Sequence, residues 1–292
     1  MAKGEEMAKL IDFKCRYAEY TGISKELAAA EGLSLPEAYM DSDSLAKLAL
    51  AMNRKDGYCV LPIDPITEAE NLGASIKYDD SPLGPRKDKD VITKVEQLAE
   101  LPPMDVTKGR IAQTLAAVRK INQEGGKATI EIDGPIAIIN GLADIMRMLM
   151  GWRKNPEAMN VFFTNLVSGL TDYALAAREA GCEILYYTDS PGSLNIVGPK
   201  YAKQIVESFT VPFLKALDEK LDNDCVVHLC PKTSFMLVGC EKASWQRLEL
   251  DKPMSYIDAC MAAKGKARFL GQRCRKDDKI EVSHINYLKL ND

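Results

Sequence analysis

The run Val226-Val227-His228-Leu229-Cys230-Pro231 sets an imidazole and a thiol two positions apart in a β-branched, apolar stretch. In a β-strand that spacing sends both side chains to the same face. Pro231 has no amide hydrogen to give to a sheet, so the strand stops there and His228 and Cys230 stand at its carboxyl tip. An imidazole nitrogen and a thiolate are ordinary zinc ligands, with bonds of about 2.0–2.3 Å. The bland alternative is a packed histidine beside a buried cysteine. The scarcity of histidine, with only His228 and His284 in the chain, weighs on the side of the metal. A catalytic zinc takes a third protein ligand. Cys274, in Phe269-Leu270-Gly271-Gln272-Arg273-Cys274, follows another strand-like run and is the first choice; Cys240, ten residues after Cys230, and Asp251, after Arg247-Leu248-Glu249-Leu250, are the alternatives.

Two carboxylates also end strand-like runs: Asp133, before Gly134-Pro135, and Asp189, in Tyr186-Tyr187-Thr188-Asp189-Ser190-Pro191. Each is a candidate catalytic group, to orient substrate or accept a proton, and each competes with a plain capping role. Gly192-Ser193 and Asn195 form a polar loop beyond the second of these runs and are candidates for cofactor or substrate contacts.

Positioning these residues requires a scaffold that gathers strand ends. Strand-like runs at Tyr58 to Pro62, Ala128 to Asp133, Glu183 to Thr188, Cys225 to Leu229, Arg247 to Leu250, Ala267 to Gly271 and Ile285 to Leu290 alternate with segments of helical period. That alternation predicts βαβ units around a parallel sheet. A (β/α)8 barrel of the TIM type collects its active site at the carboxyl ends of its strands and runs to about 250 residues as one unit. Seven runs are one short of closure, so an eighth is expected in the N-terminal third. Asn155 to Ala180 predicts a helix that Gly181 terminates, and Tyr201 to Leu221 predicts another that returns the chain to Cys225. The expected organisation is a single domain over 1–292, with an N-terminal helical and loop-rich extension and first strand to about residue 120 and the main barrel over 121–292.

Composition narrows the function. With 46% hydrophobic residues and 27% charged, the chain suits a globular enzyme. A net charge of -4 and no basic cluster disfavour nucleic acid as a partner. No run approaches the roughly 18 apolar residues of a membrane span, and no apolar segment follows the acidic opening Met1-Ala2-Lys3-Gly4-Glu5-Glu6, so a cytoplasmic location is expected. In that reducing compartment the eight cysteines read as thiols or metal ligands; Cys15, Cys59, Cys182, Cys225 and Cys260 are expected to be small buried hydrophobes.

Taken together, Gly32-Leu33-Ser34-Leu35-Pro36-Glu37-Ala38, Leu45-Ala46-Lys47-Leu48-Ala49-Leu50, Glu68-Ala69-Glu70-Asn71-Leu72-Gly73-Ala74, Asp133-Gly134-Pro135, Glu179-Ala180-Gly181-Cys182 and His228-Leu229-Cys230 resemble the uroporphyrinogen decarboxylase superfamily. Within it they are most similar to the zinc-dependent methylcobalamin:thiol methyltransferases of the coenzyme M type, where H-x-C supplies two zinc ligands. The arginine-rich N-terminal segment of the decarboxylases has no counterpart here. The resemblance implies a URO-D-like barrel, Zn2+, a cobalamin corrinoid carried by a partner protein, and a small-molecule thiol or other methyl acceptor or donor. It implies that zinc lowers the proton affinity of a bound thiol, whose thiolate attacks the methyl group on cobalt. Two features depart from the pattern. The methyltransferases take a third ligand from a cysteine on the last strand, where this chain has Asn286-Tyr287-Leu288-Lys289-Leu290, so Cys274 is a substitution by inference. Pro231 stands where glycine is usual. The competing readings are methyl transfer involving tetrahydrofolate or a methylated small-molecule donor, and a tetrapyrrole-binding barrel without methyl transfer.

Overall fold

The structure is a computed structural model and describes residues 10–15, 23–53, 58–64, 66–79, 81 and 83–291. The opening residues 1–6 used in the sequence reading lie outside them. Nine strands are formed among the described residues: β1 (Cys59–Leu61), β2 (Ser75–Lys77), β3 (Arg86–Lys89), β4 (Ala128–Asp133), β5 (Ile184–Thr188), β6 (Val226–Leu229), β7 (Ala243–Ser255), β8 (Phe269–Leu270) and β9 (Glu281–Leu290). All seven runs expected from the sequence lie in one seven-stranded sheet ordered β1-β4-β5-β6-β8-β9-β7. From β1 to β8 every pairing is parallel. No helix among the described residues is long and apolar enough to cross a membrane.

The parallel strands are buried on both faces, as β-branched and aromatic runs such as Ile184–Thr188 require. In register, Ile130, Leu185, Val227 and Phe269 point to one face and join the large core formed with the surrounding helices. Their neighbours Glu131, Tyr186, His228 and Leu270 share the opposite, inner face. That face is covered by Tyr256, Ala259 and Cys260 of the helix Tyr256–Ala262, together with Val282 and Ile285 of β9.

The helices end where their sequences say they must. Helix Pro156–Glu179 starts with Asn155 accepting the Ala158 amide at 3.2 Å and with Pro156 in its first turn. It closes at Gly181, φ +105°, where the Cys182 amide bonds back to the Ala177 carbonyl at 3.1 Å. The second expected helix is interrupted: a π-helical turn over Val206–Thr210 leads into Val211–Lys220, next to Pro212, which has no amide hydrogen to give to the preceding turn.

Three expectations are corrected by the structure. The run Arg247 to Leu250 is not a parallel barrel strand between β6 and β8. It belongs to β7, which lies beyond β9 and runs antiparallel to it. The reason is the alternation in Trp245-Gln246-Arg247-Leu248-Glu249, where Gln246, Arg247 and Glu249 are exposed; a strand buried on both faces has no place for those side chains. The eighth strand expected in the N-terminal third is not found among the described residues, where β2 and β3 pair only with each other, and no ladder joins β7 to β1. Cys15 is exposed, whereas Cys59, Cys182, Cys225 and Cys260 are buried as expected.

Candidate active site

The carboxyl ends of β4, β5 and β6 bring Asp133, Asp189, His228 and Cys230 to one end of the sheet. His228 is buried to 2% exposure on the inner face of β6. Its ring stands edge-on to Tyr186, with 5.3 Å between centroids, and to Tyr256 at 5.7 Å. Its Nε2 is 3.0 Å from the Tyr256 hydroxyl. Burial, with the Arg275 charge adding to it, lowers the His228 pKa to about 4, so the imidazole is neutral near pH 7. Replacing Tyr256 with Phe leaves that ring nitrogen without its partner in a dry setting. The expected cost is about 1–3 kcal/mol, read as a lower urea midpoint, and unchanged stability would show the contact to be idle.

Cys230 lies one residue beyond β6, where its amide donates to the Tyr187 carbonyl at 2.8 Å and its carbonyl receives the first amides of the helix Pro231–Gly239. Burial raises its thiol to about 11, with the neighbouring Cys274 adding to the rise. Cys274 begins the turn Arg275–Asp277, and its thiol is also raised by burial, with Cys15 contributing. The two thiols are therefore electrostatic neighbours. The two alternatives are not. Cys240 caps the far end of the nine-residue helix that Cys230 begins, about 15 Å away along its axis, and its charged neighbours are Glu207, Lys203 and Lys242. Asp251 is exposed in the part of β7 where the pairing with β9 is broken.

Asp189 is spent largely on architecture. Its carboxylate accepts the amides of Ala137 at 2.8 Å and Ile136 at 3.4 Å, capping the helix Pro135–Leu142 from another element. Gly134 is required there, because a Cβ at that position would lie 2.5 Å from the Asp189 Cβ. Burial raises the Asp189 pKa to about 7, and those amides hold it from rising further. Ser193 is buried at the start of the helix Leu194–Ile205, and its hydroxyl donates to the side-chain oxygen of the exposed Asn195 at 2.8 Å. Asp133, at the tip of β4, receives no such architectural duty from its carboxyl group; its backbone amide donates to Glu68 Oε1 at 3.0 Å.

Sequence reasoning missed Glu68, Glu131, Tyr186, Tyr256 and Arg275. Arg275 bonds Glu131 at 2.6 Å and lies 5.3 Å from the centre of the Tyr186 ring, so it closes the inner face beside His228. Of these, Glu68 was within reach: it opens the segment Glu68-Ala69-Glu70 already singled out, and an acidic side chain in an otherwise buried stretch is a signal.

The uroporphyrinogen decarboxylase (URO-D) family model matches residues 20–272. The chain belongs to that family. Its mostly parallel sheet with flanking helices is the family's α/β fold of the TIM-barrel type. Among the proteins similar to this URO-D chain is the methylcobamide:CoM methyltransferase MtbA of Methanosarcina acetivorans, 26% identical over 78% of this chain and 68% of the relative. MtaA of Methanosarcina barkeri, also named a methylcobamide:CoM methyltransferase, is 23% identical over 87% of this chain and 74% of its own length. A solved methyltransferase from Methanosarcina mazei superposes with a TM-score of 0.59 at 23% identity, over 75% of this chain and 65% of the other. The URO-D chain thus spans roughly two thirds of the length of these relatives.

Zinc does not fit the site as it is arranged. Among the described residues no three His, Cys, Asp or Glu side chains converge on a common point, and the His228 nitrogen facing Tyr256 is already hydrogen-bonded.

Proposed function

We propose that this URO-D chain is a methyltransferase that moves a methyl group between a corrinoid, delivered as a substrate by a partner protein, and a small molecule bound at the carboxyl ends of β4, β5 and β6. The observation that carries the reading is the similarity to methylcobamide:CoM methyltransferases over 78–87% of the chain. The site supports it with a buried inner face, where water would otherwise compete for an activated methyl group. His228, neutral and held by Tyr256, and the pair Arg275–Glu131 form the floor of that face, and Asp133 stands at its rim.

A zinc-activated thiol acceptor is the second reading, favoured by the Cys230 and Cys274 thiols, which lie within electrostatic reach of each other. It requires His228 to turn away from Tyr256. Metal analysis separates the two: stoichiometric zinc in the wild type that is lost in Cys230→Ser would establish the second reading and overturn the arrangement described above.

The general reading is tested by the cobalt spectrum. Purified protein is mixed with methylcobalamin and a panel of thiols or tetrahydrofolate, and in the other direction with cob(I)alamin and methylated small molecules. Protein-dependent interconversion of the methyl-Co(III) and Co(I) spectra is expected in at least one direction. Spectra that stay unchanged in both directions would defeat it.

A further inference from the structure

Away from the β6 site, the carboxyl ends of β1 and β4 gather more negative side chains than positive ones can neutralise. Asp64, Glu68, Asp133 and Asp189 are all buried, and Glu131 is half-buried. Two arginines enter the group. Arg110 forks onto Asp64 at 2.6 and 2.9 Å and places its Nε on Glu70 at 2.6 Å. Arg275 is taken by Glu131. Glu68, Asp133 and Asp189 are left without an ion-pair partner among the described residues, and of these Asp189 is compensated by helix amides.

Glu68 and Asp133 remain. Glu68 is 1% exposed; one of its oxygens receives the Asp133 amide, and the other is buried with no hydrogen-bond partner. The Tyr173 hydroxyl, on the helix Pro156–Glu179, is an independent sign of an unfilled polar position. It is fully buried, has no hydrogen-bond partner among the described residues, and lies within electrostatic reach of Glu68 and Asp133. Tyr187 closes the opposite side, next to Asp189 and Gly134. Two carboxylates cannot both be ionised in such a setting, because each lacks a counter-charge and repels the other. Burial raises Glu68 to about 7, and burial together with the Glu68 charge raises Asp133 well above the carboxylate range. Asp133 is the less deeply buried of the two, 6% exposed against 1% for Glu68, and its register with Thr188 turns it to the inner face.

We propose that Glu68 and Asp133 work as one acid unit, and that Asp133 gives a proton to the oxygen or nitrogen from which a methyl donor releases its methyl group. The proposal rests on the methyl-transfer reading and names its substrate class: methyl ethers, methanol or methylamines rather than thiols. The Co(I) of the delivered corrinoid supplies the electron pair of the new Co–C bond and becomes Co(III). The C–O or C–N bond breaks with its electron pair left on the heteroatom. That atom takes the Asp133 proton and leaves as water from methanol, as an alcohol or phenol from a methyl ether, or as ammonia or an amine from a methylamine, and Asp133 is reprotonated from solvent. Glu68 never meets the substrate; it is a positioning residue that keeps the proton on Asp133. Thiol methylation needs the opposite service, removal of a proton, for which an acid already protonated is unsuited.

The test uses the full-length chain with cob(I)alamin and three probe donors: methanol, methoxybenzene and methylamine. The wild type is expected to form methyl-Co(III) with at least one of them. Asp133→Asn is expected to lower kcat about 10²-fold or more, since a positioned acid contributes that much. Glu68→Gln keeps an acceptor for the Asp133 amide and removes the repulsion, so the alkaline limb of activity should move to lower pH with KM unchanged. A purely architectural Glu68 would not move that limb. Infrared spectroscopy supplies a readout independent of turnover: a protonated carboxyl band at neutral pH, lost in Asp133→Asn. The inference is overturned if that band is missing from the wild type, or if Asp133→Asn turns over as the wild type does. It is also overturned, with the methyl-transfer reading intact, if the protein methylates thiols from methylcobalamin while none of the three donors reacts. Silence of the cobalt spectrum in both directions removes the parent reading and this inference with it.

Discussion

Replacing Arg110 with Ala is expected to destabilise the protein by about 3–5 kcal/mol, the cost of leaving a buried carboxylate without its counter-charge. Arg110 is 6% exposed and the Asp64 side chain is fully buried, so solvent cannot step in for the lost guanidinium. The fork to Asp64 fixes the start of the segment carrying Glu68, and the Nε contact to Glu70 fixes its other side. Because an unpaired Asp64 would take up a proton, the loss should be smaller in acid than at neutral pH. Urea unfolding at two pH values measures both the size and the trend. A change under about 1 kcal/mol would mean that the pair is compensated elsewhere, as exposed pairs are.

Gly271→Ala should be nearly as damaging, by roughly 3 kcal/mol or more, for a different reason. Gly271 follows β8 at φ +133°, a conformation side chains rarely adopt, and a Cβ there would lie 2.3 Å from the Leu229 carbonyl and 2.6 Å from Ser234 Oγ. Neither can retreat easily, because Leu229 is the last residue of β6 and Ser234 is fully buried in the next helix. The strain should loosen the β6–β8 pairing and shift the loop that carries Cys274 and Arg275. Gly265→Ala is the control: its φ is +72° with nothing within 4 Å, so it should cost only the backbone term of about 1–2 kcal/mol. Equal losses in the two variants would show that the close approach at Gly271 is not what matters.

Strand positions and helix ends were legible in the amino-acid order because they depend on short-range chemistry. Pro231 stops β6, Asn155 and Gly181 bound one helix, and the apolar runs at 128–133 and 184–188 can only be buried strands. The same local reasoning placed Asp133, Asp189, His228 and Cys230 at strand tips. It could not assign their work. Whether Asp189 is reactive or a cap depends on where the first amides of Pro135–Leu142 come to rest, fifty residues away in the chain. Whether His228 meets a metal or a hydroxyl depends on Tyr256, delivered by a helix that the sheet order brings over the inner face.

The chain order by itself determined the alternation of strands and helices, the parallel run from β1 to β8 and the set of polar residues at its carboxyl ends, because patterning and steric limits act within a few residues. Tertiary structure alone decided that β7 leaves its sequential place for the sheet edge, and that Glu68 lies under Asp133. It also left the two of them without a cation, since Arg110 and Arg275 are already engaged. Those outcomes turn on burial and on which charges meet, quantities that exist only once segments far apart in the chain have packed together.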